Sequence, residues 1–110
     1  MKYQIKVTTE IIQESAKLFA KSEGAARALC CPVALAGKAA LGKPVIVKGT
    51  CTDDTGLRRA QFCFNTSGLP ASSSAFCDVK IPLSKEVTQI IREYDCGNPM
   101  SEFEFEIEVP

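Results

Sequence analysis

The chain reads as a small α+β protein, and three features of its sequence say so. Both ends alternate apolar and polar residues with the period of a strand: Tyr3, Ile5 and Val7 at the start, Phe103, Phe105, Ile107 and Val109 at the finish. Three segments between them carry helical spacing or helix-terminus residues, around Glu10–Lys21, Pro32–Leu41 and Ser84–Tyr94. The 110 residues suffice for a single core but not for two, so residues 1–110 are expected to form a single domain. The expected order is β-α-α-β-β-β-α-β, with an antiparallel sheet of about four to five strands and the helices packed on one face.

The first strand covers Lys2–Thr8, with Lys2, Gln4 and Lys6 on its polar side. Thr8 or Thr9 caps a helix that places Ile11, Ile12, Ser15, Ala16 and Phe19 on one face, and Gly24 suits its left-handed end. The second helix begins at Pro32, because proline lacks only an N–H that a first turn leaves unused. Its residues Val33, Ala34, Leu35, Ala36, Ala39, Ala40 and Leu41 are apolar nearly all round, which makes it central, and Gly42 stops it.

Val45–Lys48 is a β-branched strand, Gly49–Gly56 a turn, and Arg58–Asn65 the returning strand with Ala60, Phe62 and Phe64 inward. A polar loop then leads to a short extended piece, Phe76–Ile81. Ser84 caps the last helix, whose buried stripe is Val87, Ile90, Ile91 and Tyr94, and Cys96-Gly97-Asn98-Pro99 ends it. The closing strand sets Glu102, Glu104, Glu106 and Glu108 opposite its apolar residues.

Lysines plus arginines and aspartates plus glutamates number 13 each, so the net charge is zero. That balance argues against direct nucleic-acid binding, which draws on clustered positive charge. No apolar run approaches the roughly 20 residues of a membrane span. The N-terminus has no apolar signal core, so the expected compartment is the cytoplasm, where thiols stay reduced. The six cysteines then need not form a disulfide framework.

The chain has no histidine, and with it goes the commonest general base and zinc ligand. Cys30, Cys31, Cys51, Cys63, Cys77 and Cys96 lack C-x-x-C spacing, so they read as small packing residues without metal. Cys31 sits where a helix dipole could lower a thiol's pKa, yet without a basic partner it too reads as structural. Same-face glutamates on the last strand lie about 7 Å apart, and pairing with Lys2 and Lys6 on a neighbouring first strand accounts for them. No P-loop or dinucleotide-binding glycine pattern is present. No cofactor is expected, and no catalytic residue is assigned.

Several segments, taken in order, resemble a family of short proteins encoded by tailed bacteriophages. The segment "CCPVALAGKAAL" is similar to that family's C-P-[VI]-A-L-A helix, and "IKVTTEII" to its strand and T-x-E helix start. The C-terminal "VTQIIREYDCGNPMSEFEFEIEVP" resembles its V-x-x-[FI]-I-R-x-[FY]-D-x-G helix and Phe-Glu strand. The match covers both ends and leaves Thr50–Ala75 uncovered, while Gln13–Ala28 is longer than the family pattern.

The resemblance implies origin and fold, and through them a role. A short phage protein of this kind is expected to work in the host cytoplasm as an accessory factor against host defence. It would bind a host immune protein, or sequester a small signalling nucleotide, by stoichiometric binding and as a homo-oligomer. The alternatives are a small metal-independent enzyme that degrades such a signal, and a structural protein with no defence role. For an anionic ligand the candidate contacts are Arg27, Lys38, Arg58 and Arg59, cations near turns and helix starts, with hydroxyls from Thr50, Thr52 and Thr55.

Overall fold

Alternation at the two termini produces a two-stranded antiparallel pair. β1 (Lys2–Val7) runs against β5 (Phe103–Glu108), with Ile5 opposite Phe105 and Val7 opposite Phe103. Ile5, Val7 and Ile107 are buried, and the glutamates line the outer side. The register sets Lys2 opposite Glu108 and Lys6 opposite Glu104, as the charge pattern requires. Lys2 Nζ lies 3.8 Å from Glu106 Oε1, but both side chains are more than half exposed, so the pair adds little stability.

The computed structural model describes residues 1–21, 30–52, 58–70 and 76–110, and in 49–52 the backbone alone. Among the described residues there are three helices and five strands in the expected order. The helices are α1 (Thr9–Lys21), α2 (Pro32–Leu41) and α3 (Lys85–Asp95). The remaining strands are β2 (Val45–Thr52), β3 (Arg58–Phe64) and β4 (Val79–Pro82).

The single sheet expected from sequence is instead two. β2, β3 and β4 form an antiparallel sheet of their own, separate from β1 and β5. The cause is α2. It packs against both β1 and β2, so the apolar residues it buries (Val33, Ala34 and Ala36 among them) fill the space between the two sheets. One core cluster still joins Ile5, Val7 and Ile107 to Val45, Val47, Phe62 and Phe64. Ile46 and Cys63 of the three-stranded sheet form a second small buried cluster with Cys77, which precedes β4.

β2 continues four residues beyond the predicted Lys48, with a register shift between Lys48 and Cys51. Gly49 falls within that irregularity, so it marks a bulge rather than a strand end. The predicted strand Phe76–Ile81 begins later, at Val79, and Phe76 is exposed. Asp78 closes the loop before it by accepting from Thr66 N at 2.9 Å and Thr66 Oγ1 at 2.6 Å. The Thr66 hydroxyl and amide hold the Asp78 carboxyl below its usual pKa.

Candidate functional site

Three local devices shape a cleft between α1 and α3. The first is Ser15, fully buried on α1. Its hydroxyl donates to the Cys30 carbonyl at 2.6 Å and lies 3.3 Å from the Tyr94 hydroxyl, which links α1 to the start of α2 and to the last turn of α3. The second is Thr88, whose Oγ1 accepts from the Ala60 backbone N–H at 3.0 Å. The Ala60 carbonyl takes the Leu83 N–H at 2.8 Å, so α3 is stitched to β3 at one residue.

The third device ends α3. Ser84 opens the helix by accepting from Val87 N, and Gly97 closes it in the left-handed region at φ 95°. The Gly97 N–H bonds the Tyr94 carbonyl and the Asn98 N–H bonds the Glu93 carbonyl, a paired cap that satisfies the last turn. The chain leaves through Gly97, Asn98 and Pro99, which together with Tyr94 and Asp95 form one wall of the cleft.

The cleft has a volume of about 730 Å³. Ala16 and Phe19 line it from α1, Cys31, Val47 and Ile91 are its buried lining, and Tyr94 and Asp95 face them from α3. Ala16 is exposed, on the flank of α1 that borders the cleft. Phe19 and Tyr94 meet edge to face, with centroids 5.8 Å apart and planes at 64°.

Two titratable groups in the cleft are shifted in ways that decide its chemistry. Burial pushes the Cys31 thiol up to about 11, outweighing the Val33 and Ala34 amides at the helix start, which pull it down. Desolvation therefore beats the dipole, and Cys31 stays a protonated thiol near neutral pH, a poor nucleophile and metal ligand. Cys30 and Cys31 are both buried, as expected of a structural helix start. Asp95 is exposed by surface area, yet partial burial of its carboxyl still raises its pKa.

The residues predicted from sequence lie elsewhere. Lys38 is exposed in the last turn of α2. Arg58 is exposed and Arg59 half-buried at the start of β3, where the backbone register sets Thr52 opposite Arg58 and Cys51 opposite Arg59. Thr50 belongs to the same end of β2. Arg27 and Thr55 fall outside the described residues. The structure thus gathers Thr50, Thr52, Arg58 and Arg59 at one end of the β2–β3 pair, and none of the described candidates lines the cleft.

Sequence reasoning missed Phe19, Asp95 and Asn98 as site residues. Their signal is faint: an aromatic near the end of one helix and a carboxyl beside the glycine cap of another. Among the described residues, no group of three cysteine or carboxylate side chains is placed to hold a metal. None of the described helices is long and apolar enough to cross a membrane. Comparisons with protein-family models, with curated proteins and with solved structures return no match.

Proposed function

We propose that this protein works by stoichiometric binding, as a phage accessory factor that blocks a host immune protein in the host cytoplasm. The observation that supports binding is the cleft: a preformed concavity with aromatic and apolar walls, a protonated thiol and a single carboxylate among its described lining residues. Those groups suit holding a partner better than activating a nucleophile. The phage origin and the defence role rest on the resemblance of the helix and strand segments.

The cleft favours a protein target over a nucleotide. Among its described lining residues the charged group is Asp95, which repels an anion. Sequestration of a signalling nucleotide would fall instead to the far end of the β2–β3 pair, with Arg58, Arg59 and the threonines as contacts. Mass spectrometry of whatever co-purifies from defence-active cells tests the reading. A host protein in equimolar amount, lost with Asp95→Arg, is the expected result. A nucleotide lost with a double Arg58→Ala, Arg59→Ala change would favour sequestration. Turnover of a signal at substoichiometric protein would overturn both.

Self-association belongs to the same proposal, since a short chain gains buried surface from a second copy. The exposed Lys38, Ala39 and Ala40 of α2 are its candidate contacts. Sedimentation at micromolar concentration reads the outcome directly, and a strict monomer removes this part.

A further inference from the structure

The rings of Phe19 and Tyr94 and the carboxyl of Asp95 border one cleft, and each constrains what could fill it. The Tyr94 hydroxyl is engaged with Ser15, so its ring is held in place and offers the cleft an aromatic surface. An aromatic surface attracts a cation through its negative π-face. A carboxylate attracts the same cation by charge, and more strongly where water is partly excluded. Among the described lining residues no basic side chain answers Asp95.

We propose that the cleft is a socket for an arginine side chain presented by a partner protein. This rests on the stoichiometric-binding reading and names the chemistry of the partner. Arginine fits better than lysine. Its planar guanidinium stacks on an aromatic ring while its fork of N–H donors bonds a carboxylate with two parallel hydrogen bonds. The exposed Gly97, Asn98 and Pro99 on the cleft wall give the partner's flanking backbone a surface to lie along. A protein loop therefore gains contacts that a free small cation does not.

The test uses the whole protein and three probes followed by NMR at the Tyr94 ring: acetyl-Gly-Arg-Gly-amide, the same peptide with citrulline, and spermidine. Citrulline keeps the shape of arginine and removes its charge. The arginine peptide should shift Tyr94 saturably, with citrulline binding about tenfold more weakly, the loss expected from one partly screened charge pair. Asp95→Asn should erase that difference while the protein still melts cooperatively, at or above the parent's temperature. Equal binding of the two peptides, or an unchanged preference in Asp95→Asn, overturns the socket. Tighter binding of spermidine than of the arginine peptide also overturns it, because the occupant would then be a free polyamine. A host protein that still co-purifies while the arginine peptide fails to bind removes the socket and leaves the stoichiometric reading standing.

Discussion

Cys31 and Asp95 line the same cleft and carry the same lesson about burial. Burial penalises the charged form of each, which keeps the thiol protonated and makes the carboxylate harder to ionise. With a pKa of about 11, roughly a thousandth of Cys31 is thiolate at pH 8. Iodoacetamide at that pH should therefore label the exposed Cys96 well before Cys31, as read by peptide mass spectrometry. Early modification of Cys31 would mean that the helix dipole wins after all. For Asp95 the folded-state pKa lies above the usual 3.8, so the proton is held more tightly when folded. Its favourable contribution is present at acid pH and is lost as pH rises through the folded value. Asp95→Asn should accordingly gain stability over the parent near pH 7 and lose that advantage below about pH 3.8, measured by urea denaturation at both pH values.

At the scale of elements, α2 carries the largest consequences. Gly37 faces Phe62 so closely that an added Cβ would overlap the ring, and Val45 Cγ2 would stand 3.2 Å away. Alanine normally stabilises a helix interior by about 1 kcal/mol relative to glycine. Here the overlap opposes that gain, and Phe62 is fully buried with little room to yield. Overpacking of this kind costs about 1–3 kcal/mol, so Gly37→Ala should be neutral to destabilising rather than stabilising. Chemical denaturation gives the sign. Gly37 thus serves the close approach of the Phe62 ring to this helix. Much else about the elements was legible: the proline start and glycine stop of α2, the Ser84 cap of α3 and the alternation in β3 all appear as read. Gly49 was misread because a glycine in a strand and a glycine ending one look alike until a partner strand sets the register.

The whole molecule depends on its two termini meeting. Val109 N–H bonds the Met1 carbonyl at 2.7 Å, and β5 is the strand partner of β1. Removing Phe103–Pro110 takes away Ile107 from the core and leaves the β1 ladder unpaired, in a chain too short to spare either. Loss of cooperative thermal unfolding in that truncation is the expected result. A truncation that melts cooperatively near the parent temperature would show that β5 is dispensable.

Local periodicity was enough for the class, the element order and the pairing of oppositely charged β1 and β5 faces. Those depend on which side of a strand or helix is apolar, a property each segment carries alone. The division into two sheets and the cleft depended on tertiary packing. No segment encodes that α2 will separate β1 from β2, or that Phe19, Cys31 and Asp95, distant in sequence, will border one space. Both follow from how the elements fill volume together, and spacing along the chain carries no record of that.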